Sequence, residues 1–209
     1  ENLSYNQAAG WLCDQAFPMM STQRGSGLPP IIGLCGYGGA GKDTIALVIQ
    51  EAVGYQRRSF ADKVREFASA LNAYLPEASA HYNTLITQMG YEAAKRKFPC
   101  VREYLVNIGH GARLVFGESF WIDAALKRES AEARLVISDV RYANEAKRIH
   151  ELGGVVWKVS RASCGPQHET EAKSIPEVPC DYTVENDGTI EELRQKVLTM
   201  LQEQNGSVL

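Results

Sequence analysis

Five short apolar runs recur along the chain, and the stretches between them carry helical spacing. The runs are Ile31-Ile32-Gly33-Leu34-Cys35, Tyr55 to Phe60, Leu135-Val136-Ile137-Ser138-Asp139, Val155 to Ser160 and Asp181 to Glu185. The clearest of them, rich in Val and Ile and without strict alternation, read as strands buried on both faces. After the first run, the pattern from Ile45 predicts a helix that stops at Gly54, where the missing Cβ suits a helix end. Residues 62–116 are mostly helical by pattern, with breaks near Pro76 and Pro99, and Ser119 to Lys127 adds a short helix. Tyr142 to Leu152 is a helix stopped by Gly153-Gly154. The last helix opens with the capping box Thr189-x-x-Glu192 and repeats Ile190, Leu193, Val197, Met200 and Leu201 at helical intervals. Strands alternating with helices in this order predict an α/β fold on a doubly wound, five-stranded parallel sheet.

Residues 1–30 precede the first strand. Tyr5 to Phe17 can form a short helix with Ala8, Trp11, Leu12 and Phe17 on its apolar side, and Ser21 to Pro30 reads as a linker rich in Gly, Ser and Pro. The expected organisation is an N-terminal extension over 1–30 and one domain over 31–209. Within that domain, a helical insertion at about 62–130 lies where a second substrate is usually held, and the polar loop at about 161–179 is long enough to be a lid.

The junction of the first strand and the first helix carries the chemistry. Gly36-Tyr37-Gly38-Gly39-Ala40-Gly41-Lys42-Asp43-Thr44 is a glycine-rich turn between a buried strand and a helix, the setting that a phosphate-binding P-loop requires. Glycines let the backbone curl round an anion so that successive N–H groups point inward. The helix start adds partial positive charge, and Lys42 can bridge the outer phosphates. The strict motif has Ser or Thr directly after the lysine; here Asp43 takes that place and Thr44 follows. An acid at this point is expected near Mg²⁺ or the transferred phosphoryl group.

Composition narrows the partners. At 209 residues and 44% hydrophobic, the chain can bury one sizeable core, and the net charge of −3 leaves no broad basic surface for nucleic acid. The five cysteines (Cys13, Cys35, Cys100, Cys164 and Cys180) are widely spaced with no C-x-x-C pair, which argues for a reducing cytoplasm and against a zinc site. No long apolar segment suggests a membrane span, and Glu1 to Phe17 does not read as a secretory signal.

Cations supply the remaining candidates. Val101, Tyr104, Leu105, Ile108 and Ala112 form the buried stripe of one helix, while Arg102 and Arg113, eleven residues apart, lie almost eclipsed with Gly109 between them. On a straight helix they stand about 16 Å apart, too far to grip one phosphate together. Either the helix breaks at Gly109 or Gly111, or only one of them binds a phosphate. Two solvated surface arginines are the alternative. Asp139-Val140-Arg141 ends a strand at the edge where open α/β sheets bind ligands, so Asp139 is a candidate for a magnesium-bound water, for holding Arg141, or for capping the helix from Tyr142. Arg161, at the root of the lid loop, can reach nucleotide phosphates or stack on a base. Trp121 suits either a base or the core. His168 with Glu171 lacks a third metal-like ligand and reads as structural.

Several of these pieces occur together in one family. Gly-x-x-x-x-Gly-Lys-Asp-Thr, Phe60-Ala61-Asp62-Lys63, Arg102-Glu103-x-Leu105-x-x-x-Gly109, Trp121, Ile137-Ser138-Asp139-Val140-Arg141-x-x-Asn144-Glu145-Ala146, His168-x-Thr170-Glu171 and Asn186-Asp187-Gly188-Thr189 follow in order. Over about Ile31 to Val197 the chain resembles the deoxynucleoside monophosphate kinases of bacteriophages, a branch of the P-loop NTPase superfamily with the nucleoside monophosphate kinase fold. The resemblance implies transfer of the γ-phosphoryl group of ATP, with Mg²⁺, to a deoxynucleoside monophosphate in the cytoplasm, the host's if the chain is viral. By that likeness Gly36, Gly38, Gly39, Ala40, Gly41, Lys42, Asp43 and Thr44 bind ATP, and Asp43, Thr44 or Asp139 organises the metal. Asp62, Lys63, Arg65, Arg102, Gly109, Arg113 and Trp121 line the acceptor side, and Arg141 and Arg161 act with Lys42 in catalysis. The expected partner is the small-molecule nucleotide, with neither nucleic acid nor membrane, and a homodimer is compatible. Asn107 to Gly111 departs from the family pattern, which leaves the accepted base open. Other readings are a phosphomevalonate or dephospho-coenzyme A kinase of the same fold, or an ATP-binding regulatory module without an acceptor.

Overall fold

The computed structural model describes residues 27–126, 133–167 and 169–206. The expected helix at Tyr5 to Phe17, most of the linker, Lys127 and His168 lie outside these residues.

The sheet consists of β1 (Ile31–Cys35), β2 (Gln56–Arg58), β5 (Leu135–Val140), β6 (Val155–Ser160) and β7 (Tyr182–Glu185), all parallel, in the order β2-β5-β1-β6-β7. β1 is therefore central, and its carboxyl end opens at the point where the strand order reverses, the usual ligand edge of such sheets. Both faces of the sheet are covered, which is why its central strands read as continuous apolar runs. Ile32 and Leu34 pack on one face with α1 (Lys42–Val53) and the last helix, while Ile31 and Cys35 pack on the other with α2 (Phe60–Leu71) and α7 (Ala143–Glu151). Gly33 allows the close approach of α7, because a Cβ there would stand 2.7 Å from Ile149 Cδ1.

The insertion holds the remaining elements. After α2 comes a small hairpin, β3 (Tyr74–Leu75) and β4 (Ala80–His81), linked by a 3₁₀ turn at Pro76–Ala78. It is followed by α3 (Tyr82–Met89), α4 (Tyr91–Lys97), α5 (Pro99–Phe116) and α6 (Phe120–Leu126). Ala68, Leu75, Tyr82, Leu85, Ala94, Cys100 and Val101 give this part its own apolar cluster. Pro99 opens α5 at its first turn, where proline's missing N–H costs nothing, and Gly109 and Gly111 are both helical. Of the two possibilities for Arg102 and Arg113, the broken helix is thus removed.

Other boundaries also differ from the sequence pattern. The second strand stops at Arg58, because Ser59 begins a helix: the Asp62 carboxylate accepts from Ser59 N at 3.1 Å, the reciprocal arm of a capping box. The expected loop at 161–179 contains α8 (Glu169–Glu177), which carries Pro176 in its last turn. The final helix, α9 (Ile190–Gly206), opens as expected, with Thr189 N donating to Glu192 Oε2 at 2.7 Å and Glu192 N to Thr189 Oγ1 at 3.2 Å. Among the described residues, no helix is long and apolar enough to cross a membrane.

Candidate active site

The loop from Gly36 to Gly41 wraps the carboxyl end of β1. Gly36, Gly39 and Gly41 have φ values of 149°, 80° and 102°, conformations that a side chain would strain. Two of these positions are also crowded. A Cβ on Gly36 would strike the Val159 carbonyl, and one on Gly41 would strike the Asn186 amide. Asn186, at the end of β7 and 8% exposed, donates to Ala40 O at 2.8 Å and so pins the loop from the neighbouring strand. Lys42, the first residue of α1, turns its ammonium back over the loop and donates to Gly36 O at 2.7 Å and Tyr37 O at 2.8 Å. Burial lowers its pKa, and the nearby positive Arg141 lowers it further, while Asp43 opposes both.

The two acids proposed for the metal have different surroundings. Asp43 is 77% exposed at its side chain and pairs with Arg57 of β2 at 2.6 Å. Thr44, one residue further into α1, is half-buried. Asp139, near the end of β5, accepts from Phe60 N at 2.7 Å, Ser59 Oγ at 2.8 Å and Ala61 N at 2.9 Å. It therefore caps α2, not the helix from Tyr142 that the sequence suggested. A carboxylate at a helix start meets unpaired N–H groups and the positive end of the helix dipole.

The role of capping α7 falls to Glu145. Its Oε2 accepts from Arg141 N at 2.7 Å and Tyr142 N at 3.1 Å, and the residue is 4% exposed. Burial pushes its pKa up to about 7; the two backbone donors pull it down, and the charge of Asp139 adds to the rise. The Arg141 side chain points toward α8, where Nη1 pairs with Glu171 Oε1 at 3.1 Å. Glu171 Oε2 also accepts from Gln167 N at 3.1 Å. Gln167 lies directly against the phosphate loop, since a Cβ on Gly38 would come within 2.6 Å of its Nε2. The root of the same segment is held by Ala162 N, which donates to Asp187 Oδ1 at 2.7 Å, and Arg161 beside it is exposed.

The acceptor-side candidates separate into two groups. Asp62 and Arg65 form an ion pair at 2.7 Å, Arg65 stacks over Tyr91 at 4.7 Å, and Lys63 pairs with Glu66 at 2.7 Å. On α5, Arg102 is exposed beside Glu103, Val106 and Asn107, whereas Arg113 lies over the Tyr142 ring at 4.7 Å, next in sequence to Arg141. The structure thus brings Arg113 to the end of β5 and leaves Arg102 at the far end of the same helix. Of the two settings open to Trp121, the core is the one observed: it is 3% exposed, and its Nε1 donates to Gly109 O at 2.9 Å. Sequence reasoning gave no role to Asn186, Glu145 or Gln167. Asn186 and Glu145 stood within quoted motifs, but their partners are remote in sequence or on the backbone.

A lysine-bearing glycine loop after the central strand of a β2-β5-β1-β6-β7 parallel sheet, with a helical insertion after β2, defines a P-loop kinase fold. Comparison with known proteins narrows the class. A protein of Acanthamoeba polyphaga mimivirus named "Putative deoxynucleotide monophosphate kinase" is 31% identical over 189 residues, which cover 81% of this chain and 94% of that protein. The chain belongs to the deoxynucleotide monophosphate kinase family. No family model matches it. Among solved structures, shikimate kinase from Acinetobacter baumannii aligns over 86% of this chain and 96% of its own, with 18% identity and a TM-score of 0.44. Dephospho-CoA kinase from Campylobacter jejuni aligns over 86% and 99%, with 13% identity and a TM-score of 0.43.

Proposed function

We propose that the chain transfers the γ-phosphoryl group of ATP to a deoxynucleoside monophosphate and releases the diphosphate. The seating of Lys42 on the carbonyls of its own glycine loop, with Arg141 close enough to lower its pKa, carries the ATP side of this reading, and membership of the family supports the acceptor. Lys42 lies over the glycine loop, and Arg141, paired with Glu171, is near enough for its charge to act on Lys42. That donor set fits a polyphosphate: positive-φ glycines open the amides, and Lys42 needs only to exchange two carbonyls for phosphate oxygens.

The donor set for magnesium is oxygen-based, as that hard cation requires. Thr44 would hold it, with Asp43 or Asp139 reaching it through water, and bound Mg²⁺ would neutralise charge on the outer phosphates. The chain's own residues do the rest. Loop amides and Lys42 fix the donor phosphates, and Arg141 and Arg161 meet the charge that spreads over the transferred group. Arg65, with Asp62 and Lys63 near it on α2, and Arg102 and Arg113 on α5 are the candidates to orient the acceptor phosphate. Gln167 and the segment from Arg161 cover the loop, which favours exclusion of water during transfer. No covalent intermediate is needed, because positioning and charge neutralisation are sufficient for phosphoryl transfer.

The test is steady-state transfer from Mg·ATP to a panel of deoxy- and ribonucleoside monophosphates, phosphomevalonate and dephospho-coenzyme A. Diphosphate formation from deoxynucleotides is expected to dominate. Turnover confined to another acceptor, or ATP hydrolysis indifferent to acceptor, would overturn the reading.

A further inference from the structure

Glu171 bridges two parts of the site that come from different elements. Its side chain rises from the first turn of α8, only 8% of the residue is exposed, and both carboxylate oxygens are used. Oε1 holds Arg141, which follows β5 directly, and Oε2 holds the backbone N–H of Gln167, whose side chain lies on Gly38 of the phosphate loop. The same carboxylate is close enough to raise the pKa of Lys42, opposing the effect of Arg141. A helix-capping acid alone would need only Oε2. A surface ion pair alone would leave its carboxylate in solvent, where such pairs contribute little.

We infer that Glu171 is a positioning residue that makes the seating of the loop segment at Gln167 and the alignment of Arg141 a single event. The inference rests on the kinase reading above for its consequence, though not for its geometry. With Glu171 in place, Arg141 adopts its working position only when Gln167 is drawn onto the phosphate loop. Charge neutralisation is then available only in the water-excluded arrangement, which limits loss of ATP to hydrolysis. Without the carboxylate, Arg141 keeps its charge and loses its fixed direction. Misplacement of a catalytic group by about 1 Å costs on the order of 100-fold in rate.

Two measurements test this, one of them independent of catalysis. In hydrogen exchange of the 209-residue chain without nucleotide, Arg141→Ala should speed exchange across residues 161–167 several-fold, because Glu171 loses one of its two anchors. A residue that merely caps α8 would leave exchange in Arg141→Ala at the wild-type rate, and that result overturns the inference. In steady-state transfer, Glu171→Gln should lower kcat on the order of 100-fold and change either KM by less than about threefold. Combined with Arg141→Ala, it should lower kcat by less than about twofold more. Equal losses from Glu171→Gln in both backgrounds would overturn the inference, as would wild-type kcat in the single variant. If the wild-type chain proves inactive toward every nucleoside monophosphate, the proposed function fails, while the exchange experiment still decides whether Glu171 couples the two parts.

Discussion

Replacing Asp139 with alanine tests whether this acid is first of all a cap for α2. Its carboxylate takes three donors, Phe60 N at 2.7 Å, Ser59 Oγ at 2.8 Å and Ala61 N at 2.9 Å. Hydrogen bonds to a charged acceptor contribute about 1.5–3 kcal/mol each, but bonds that share one carboxylate do not add fully. Loss of a single N-cap costs up to about 2 kcal/mol, and favourable charge at a helix start adds about 0.3–1 kcal/mol. Together these place Asp139→Ala at about 3 kcal/mol of destabilisation, and Asp139→Asn, which keeps one acceptor, at roughly half that. The assay is urea unfolding followed by tryptophan fluorescence, with neither nucleotide nor Mg²⁺ present. With a slope of about 2 kcal/mol per M, the alanine variant should unfold roughly 1.5 M earlier. An unchanged midpoint would refute the capping argument, and coupled with a loss of Mg²⁺ affinity it would return Asp139 to the metal.

Three further outcomes follow from the site. Lys42→Ala should abolish transfer, seen as a loss of kcat of at least about 100-fold, while far-ultraviolet circular dichroism stays that of the wild type; full activity would remove the loop from the mechanism. Arg102→Ala should raise the KM of the acceptor more than that of ATP, and the reverse order in initial-rate kinetics would move Arg102 to the ATP side. Glu145 has a folded pKa of about 7 against an ordinary 4.5, so the folded state binds the extra proton. Its contribution is therefore present below pH 4.5 and lost as pH rises toward 7, about 3 kcal/mol in all. Glu145→Gln keeps an acceptor for Arg141 N and Tyr142 N and should flatten the stability profile over that window; a slope equal to the wild type's would contradict the burial argument.

The sheet was legible because its central strands are covered on both faces, so burial left a nearly unbroken apolar signature in Ile31–Cys35 and Leu135–Val140. The glycine loop was legible because its chemistry is local and tied to spacing. What escaped depends on contacts distant along the chain. Nothing near Asp139 reveals that its partners are Ser59, Phe60 and Ala61, some 79 residues earlier, and nothing near Asn186 reveals the loop carbonyl it binds 146 residues away. The β3–β4 hairpin has two-residue strands, too short for any period to register. α8 was hidden by Pro176 and its nine-residue length, and Pro99 reads as a breaker unless its place at the first turn is known. Trp121 presented two roles with one pattern, and only the carbonyl of Gly109 decided between them.

The unbroken α5 has a mechanical consequence. Eighteen residues make a rod about 27 Å long, gripped past its middle by the Trp121 bond to Gly109 and nearer its carboxyl end by Arg113 over Tyr142, and followed by Gly117 at φ 98°. Its other end belongs to a cluster that the sheet's two cores do not share. The helix is therefore a strut between that cluster and the end of β5, and Tyr104 Oη, which donates to Ala68 O at 3.1 Å, fastens its far half to α2. A tilt of about 10° at Gly117 would sweep Arg102, about 22 Å away, through roughly 4 Å. A swing of that size would have to break the Tyr104 bond to Ala68 and the Trp121 bond to Gly109, so the unbroken helix holds Arg102 at a fixed span from Arg113 and the end of β5.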